Sequence, residues 1–197
     1  MQKLRSFLIL LALVFLSQSC EKEKRKSGLP TDGDGNTYDT VVLGSQVWLT
    51  ENLKTTKYNR GTPIPLAEEN ESWTNSSRGT YCWYQNNSSY KDSYGGIYNW
   101  YAAQLSEDIC PVDYHVPSRE EWENLIDYFN NSSSDVEKSF RAIKDAGSRL
   151  WDGSFVHSSY GGWWEHSPLG AFVSTGYYTI GYMPKNTGFS IHCVKNK

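Results

Sequence analysis

The sequence has no apolar run long enough to cross a bilayer as a helix; its longest, residues 7–16, is half the length needed. Bases are not in excess either: 19 Lys and Arg stand against 22 Asp and Glu, a formal charge of −3, which argues against polyanions such as nucleic acid as partners. Histidines are few and scattered (His115, His157, His166, His192), with no HxxxH or HxE grouping. No GxSxG elbow or phosphate-cradling glycine loop is present. Metal hydrolysis, serine hydrolysis and nucleotide chemistry therefore lack their usual residues, and no cofactor is expected. Nothing recurs at a fixed period, which removes solenoids and propellers. Methionine is scarce at 2 residues, whereas Tyr and Trp number 14 and 8. With a mean hydropathy of −0.61, the core must be built from large amphipathic rings packed by loop-rich segments.

The short apolar run follows Lys3 and Arg5 and ends in Leu16-Ser17-Gln18-Ser19-Cys20. Its length is that of a signal-peptide core. A small residue immediately before a cysteine is the arrangement that bacterial lipoprotein processing uses to expose a thiol for diacylglyceryl transfer. Ser17 stands where an aliphatic residue is usual, with Leu16 one place earlier, so an ordinary secretory signal with an incidental Cys20 is the alternative. Residues 1–19 are read as the signal, Cys20 as the lipidation site and residues 20–31, charged and then rich in Gly and Pro, as a solvated tether. Lipid there anchors the protein without spanning. Cleavage removes two bases and no acid, taking the charge from −3 to −5.

Residues 32–197, roughly 165 of them, suffice for one domain. Between positions 38 and 49, Val41 and Leu43 share a face, Gly44-Ser45 fits a two-residue turn, and Val47 and Leu49 lie on the returning strand of a hairpin. A capping box, Ser118-Arg119-Glu120-Glu121, opens a helix behind Pro117, with Trp122, Leu125, Ile126 and Phe129 at helical spacing. A second helix is expected over residues 136–146, with Asp135 as N-cap, Phe140 and Ile143 inward and Gly147 as the stop. The remainder of the C-terminal part, with Gly, Ser and Pro between short aromatic runs, reads as strands and loops. The whole is an α+β domain with antiparallel sheet. Asp32, Asp34 and Asn36 imitate the start of a calcium loop, but Thr37 and Leu43 stand where glycine and the closing acid belong, so the segment reads as a turn.

Several stretches carry a resemblance: GGIYNWYAA and CPVDYHVPSREEW within residues 95–122, GFSIHCV at 188–194, the opening DGDGNTYDTVVLGSQVWLTENLKTTKYNRGTPIP and YCWY at 81–84. They resemble the Fibrobacter succinogenes major paralogous domain, a family of secreted bacterial domains. The resemblance implies a C-type-lectin-like, formylglycine-generating-enzyme-like fold and names no ligand. It also implies a disulfide between Cys110, before the first helix, and Cys193, on the last strand, with Cys82 left as a buried thiol; a pairing through Cys82 is the alternative. Family members commonly carry a GFSALPGGYR-like segment that is missing here between Trp151 and Gly153, and WWEHSP replaces their WWSS. The formylglycine-generating relatives bind copper through two closely spaced cysteines, a spacing absent here, so the chain is read as a non-enzyme.

Adjacent aromatics on a strand face opposite sides. Each of the pairs Trp83-Tyr84, Trp100-Tyr101, Trp163-Trp164 and Tyr177-Tyr178 is therefore expected to give one ring to the core and one to the surface. Trp83 and Trp100 are assigned to the core. Trp163, Trp164, Glu165, His166, Tyr177 and Tyr178 form the candidate ligand-binding set, with a glycan or a surface protein as partner, on an outer-membrane lipoprotein. The alternatives are a structural or assembly subunit of a surface appendage and a degenerate relative of the enzymes. His115 is expected to pack beside the helix cap and His192 to lie on a strand.

If Cys20 is the anchor, the mature chain begins at Cys20 and partitions into detergent, and Cys20→Ala releases or misprocesses it. N-terminal sequencing with phase partitioning decides this; a soluble wild-type protein with another N-terminus would refute it.

Overall fold

The computed structural model describes residues 28–104, 108–131, 147–156, 162–166, 171–174 and 179–197. Within them short helices and antiparallel strands alternate, an α+β architecture. Strands β1 (Thr40–Leu43) and β2 (Gln46–Leu49) form the expected hairpin. Gly44 takes φ +60°, the conformation the first position of this tight turn requires and glycine adopts without penalty. The register pairs Val41 with Trp48 and Leu43 with Gln46, so the returning strand presents Trp48, not Val47 or Leu49, to the face of Val41 and Leu43.

Helix α1 (Asn70–Thr74) buries Trp73. Strand β3 (Tyr81–Cys82), helix α2 (Lys91–Tyr94) and strand β4 (Ile97–Asn99) lead to helix α3 (Trp100–Gln104). Asn99 starts α3 because its Oδ1 accepts from the amide of Ala102, three residues on. After β5 (Tyr114–His115), helix α4 (Arg119–Asn131) begins where the capping box places it. The Glu121 amide donates to Ser118 Oγ at 3.3 Å and the Ser118 amide to Glu121 Oε2 at 2.9 Å. The inward face of α4 carries Trp122, Leu125 and Phe129, all buried. His115 packs beside this cap, its Nε2 2.9 Å from Glu121 Oε2. Against the desolvation of partial burial, the Ser118 amide and hydroxyl and His115 hold the Glu121 carboxyl below its usual range. The expected helix over residues 136–146 lies outside the described residues.

Short strands β6 (Ser148–Arg149) and β7 (Phe155–Val156), then β8 (Gly162–Trp164), β9 (Ala171–Ser174) and β10 (Thr179–Tyr182), precede the closing strands β11 (Gly188–Phe189) and β12 (Val194–Lys195). The sheets run β1-β2-β12-β5, β10-β9-β8 and β3-β4-β11-β6-β7. The segment 188–194 enters two of them and bridges to the third. Gly188 pairs with Asn99 and Arg149, Trp163 bridges to Ser190, and Val194 pairs with Trp48 and His115. Between the closing strands, the amides of Leu53 and Leu49 donate to the carbonyls of Ile191 and Cys193. A Cβ on Gly188 would sit 2.5 Å from Ile97 and 2.6 Å from Trp73, so only glycine fits there.

Arg149 is fully buried. Its guanidinium donates to the carbonyls of Ala67, Glu68 and Gly153 and to the side-chain oxygens of Asn70 and Asn86, between the rings of Trp73 and Phe155, each 4.9 Å away. One side chain thus ties the β6–β7 hairpin to the segment around α1 through Ala67, Glu68 and Asn70 and to Asn86, with Gly153 closing the hairpin itself. The Asp32–Asn36 segment is a turn. Asp32 Oδ1 accepts from the amides of Asp34 and Asn36, Oδ2 accepts from Tyr38 Oη, and Asp34 accepts from Thr56 and pairs with Lys57. Those carboxylates are committed to the fold.

Cys110 and Cys193 are joined, 83 residues apart, and Cys82 is a buried free thiol. Burial pushes that thiol up to about 12, the nearby Arg149 only partly opposing it. Closing a loop of this length contributes about 4–5 kcal/mol in the chain-entropy account. The double variant Cys110→Ser, Cys193→Ser should lose up to that amount in urea unfolding, and Cys82 should alkylate only after denaturation. Labelling of Cys82 in the native protein would contradict the assignment.

Candidate functional site

Strand β8 carries the first residues of the candidate set. Its neighbouring side chains do alternate, but both directions lead into core. Trp164 is fully buried, packs edge-on to Phe189 with centroids 5.0 Å apart, and its Nε1 donates to the Tyr98 carbonyl at 2.7 Å. Trp163 turns the other way, 6.0 Å from Trp122 and 5.8 Å from His192, its Nε1 donating to Asn52 Oδ1 at 2.8 Å. It is 3% exposed. The expectation that one ring of this pair reaches solvent fails because β8 lies between two apolar clusters, one built on Tyr98, Phe189 and Ile191 and the other on Trp48, Trp122 and Val194. Neither indole offers a free face.

Glu165 is also buried, 3.7 Å from Arg119 Nε, and its carbonyl accepts from Gln104 Nε2. His166 is exposed, its amide bonded to the Pro117 carbonyl. Tyr177 and Tyr178 lie outside the described residues. Of the six, the structure thus brings His166 alone to the described surface.

The solvent-facing rings stand next to this strand end. Of the eight tryptophans, six are buried and two reach solvent, Trp100 and Trp151. Trp151 sits on the turn between β6 and β7, 46% exposed. Trp83 is in the core as expected, but Trp100 is only half-buried. Trp100 and Tyr101 open a helix and not a strand, and adjacent helical residues are separated by about 100°, so both rings share the surface. They meet edge to face, centroids 5.4 Å apart. The ammonium of Lys185 sits 3.8 Å from the Trp100 centroid and 6.0 Å from that of Tyr101, fixed there because the Trp100 amide donates to the Lys185 carbonyl. Three residues earlier Tyr182, 59% exposed, receives the Arg119 guanidinium 6.0 Å from its centroid. Since Gln104 of α3 and Arg119 of α4 both reach Glu165, α3, the 182–185 segment and the start of α4 form one rim: Trp100, Tyr101, Arg119, His166, Tyr182 and Lys185.

A family model described as the Fibrobacter succinogenes major domain matches residues 41–192. The chain belongs to this family. No curated protein and no solved structure matches it. Membership carries no ligand with it, so the chemistry of this Fibrobacter succinogenes major domain has to be read from its own side chains. Among the described residues no three His, Cys, Asp or Glu side chains converge to hold a metal ion. An open groove of about 340 Å³ lies elsewhere, between Leu29, Pro30 and the Val112–Asp113–Tyr114 stretch beside Lys195. It shares no residue with the aromatic rim.

Sequence reasoning passed over Lys185 and Arg119 as partners of rings. The signal in the chain was Trp100-Tyr101 directly after Asn99, a residue able to cap a helix, which places adjacent rings on a helix start instead of a strand.

Behind the rim, His192 backs Trp163 and is fully buried. Burial pulls the ring down to about 3, offset only in part by a hydrogen bond to the Leu49 backbone. An unfolded chain protonates this ring below about 6.5, while the folded ring stays neutral. Its contribution is therefore full above that pH and is lost as pH falls toward 3, at about 1.4 kcal/mol per unit. Urea unfolding between about pH 6.5 and 4.5 should show that extra slope in the parent and not in His192→Gln. Equal slopes would show that His192 does not titrate this way.

Proposed function

We propose that this Fibrobacter succinogenes major domain is a non-enzymatic lipoprotein of the outer membrane, anchored at Cys20, whose C-type-lectin-like domain binds a glycan at the rim of Trp100, Tyr101, Tyr182, Arg119, His166 and Lys185. The observation that carries the reading is the sorting of rings. Six tryptophans are sealed in the core and Trp151 stands apart on the β6–β7 turn, whereas the half-buried Trp100 and Tyr101 and the exposed Tyr182 gather at one edge beside charged side chains with donors to spare. Rings that keep a face toward solvent and are bordered by hydrogen-bond donors suit sugar recognition. The non-enzymatic part is supported by the thiols: Cys110 and Cys193 are consumed in a disulfide and Cys82 is buried and protonated, so no reactive pair is presented. Among the described residues no helix is long and apolar enough to cross a membrane, and the proposed attachment is through lipid alone.

One observation favours the second reading, a structural subunit of a surface appendage. Strand β10, which ends at Tyr182, is the outer strand of its sheet among the described residues and could accept a neighbouring chain's strand.

Glycan-array binding by the mature protein in detergent separates the two. Tyr101→Ala and Tyr182→Ala should each weaken glycan binding by about 0.5–1.5 kcal/mol without lowering the melting temperature. Trp164→Ala should instead cost about 3–5 kcal/mol of stability. An array with no positive glycan, together with a concentration-dependent assembly broken by Tyr182→Pro, would favour the appendage reading.

A further inference from the structure

Building on the glycan reading, we infer that the rim is selective for sugars bearing carboxylates, a uronic-acid-rich polysaccharide, with Lys185 as the principal anion contact and Arg119 as a second.

The first ground is what the cations do to the rings. Neutral sugars stack their C–H faces on bare aromatic faces. The Trp100 face is already occupied by the Lys185 ammonium at 3.8 Å, and Arg119 lies on the Tyr182 side of the rim. A neutral ring would have to displace a favourable cation–π contact. A carboxylate would instead add to it.

The second ground is the fate of the acids. Lys185 has no carboxylate partner among the described residues, and its Nζ is held by rings alone. Arg119 has Glu165 at 3.7 Å, but Glu165 is 2% exposed while Arg119 remains 45% exposed, so the guanidinium still faces solvent. Glu121, next on the same helix turn, is engaged by Ser118 and His115. Glu165 is thus turned inward and Glu121 occupied, which leaves Glu120 as the exposed acid next to Arg119, while the two cations of the rim keep access to solvent. This is a local inversion in a chain whose formal charge is −3.

The third ground is spacing. Tyr182 and Lys185 are three residues apart on one segment, so their Cα atoms are at most about 10 Å apart. Both cations therefore come within reach of one polymer whose carboxylates repeat from sugar to sugar. Arg119 supplies a planar fork suited to a carboxylate, and Lys185 a point charge already immobilised by Trp100, which lowers the entropic cost of the contact.

The test uses the mature, detergent-solubilised protein and three probes: polygalacturonate, the same polymer after carboxyl reduction, and dextran sulfate. Polygalacturonate should bind, and more tightly than dextran sulfate. Binding should fall at least about tenfold on carboxyl reduction and similarly on raising salt from about 0.05 to about 0.5 M. Lys185→Gln should lose about tenfold or more and Lys185→Arg should retain most of the affinity, while Arg119→Gln loses less. Melting temperatures equal to the parent's keep each variant interpretable. If the reduced polymer binds as well as the acid, the carboxylate inference is overturned and the glycan reading stands. If dextran sulfate binds equally well, or Lys185→Gln changes nothing, the attraction is unselective charge and the inference is likewise overturned. Failure of every polysaccharide on the array and in solution removes the glycan reading itself.

Discussion

The structure depends on burying an extended segment of chain on both of its faces. Residues 187–194 are all buried. Phe189, Ile191 and Cys193 enter one apolar cluster, while Val194 enters the other and His192 packs on Trp163, which belongs to it. A strand alternates its side chains, so a strand covered on one side alternates apolar with polar. Here both faces are covered, and the polar residues in the alternation, Ser190 and His192, are taken inside. Since the same segment supplies a strand to two of the sheets and bridges to the third, those two are complete only when the C-terminal part of the chain is in place. Native pairing is non-local, which slows folding relative to helical domains. The disulfide from Cys193 to Cys110 holds that late-arriving segment against the start of the α4 region.

This constraint explains where the proposed rim lies. Strand β8 bridges to the central segment at Ser190, so it too is sandwiched and its two indoles are spent on packing. Side chains reach solvent where the sandwich ends: at His166 as β8 leaves the core, at the start of α3, and where the chain returns from β10 through Tyr182 to Lys185.

Much of the fold was legible because its signals are local. The Gly44 turn, the Ser118–Glu121 capping box and the apolar face of α4 each follow from a few adjacent residues, and each stands where the chain placed it. The Cys110–Cys193 bridge came through family resemblance, not through any local pattern. The misplaced readings concern partners distant in sequence. Nothing near Trp163 and Trp164 announces that Trp122 and Phe189 will close over them from opposite sides. Nothing near Arg149 announces four acceptors from other parts of the chain. An Arg between Ser148 and Leu150 reads as surface charge until residues 67–70 and Asn86 are brought around it. The Trp100-Tyr101 pair failed for a different reason: the rule of opposite faces belongs to strands, and Asn99 had already capped a helix.

Arg149 and Lys185 show how one interaction serves opposite ends. Both cations lie against aromatic rings, where the attraction is to a quadrupole and no opposite charge is introduced. Buried, Arg149 must also be hydrogen-bonded, and carbonyl and amide oxygens meet its donors without a carboxylate. Half-buried, Lys185 keeps part of its hydration and needs less compensation from the protein. An ion pair at that position would cancel the charge locally and leave little for a ligand to recognise. Mounting the ammonium on Trp100 restricts its position while leaving its charge intact. Arg119, which shares its charge between Tyr182 and the nearly inaccessible Glu165, is the more compensated of the two. In the proposed carboxylate site the balance of attraction toward an anion therefore falls on Lys185, with Trp100 positioning that cation more than offering a stacking face of its own.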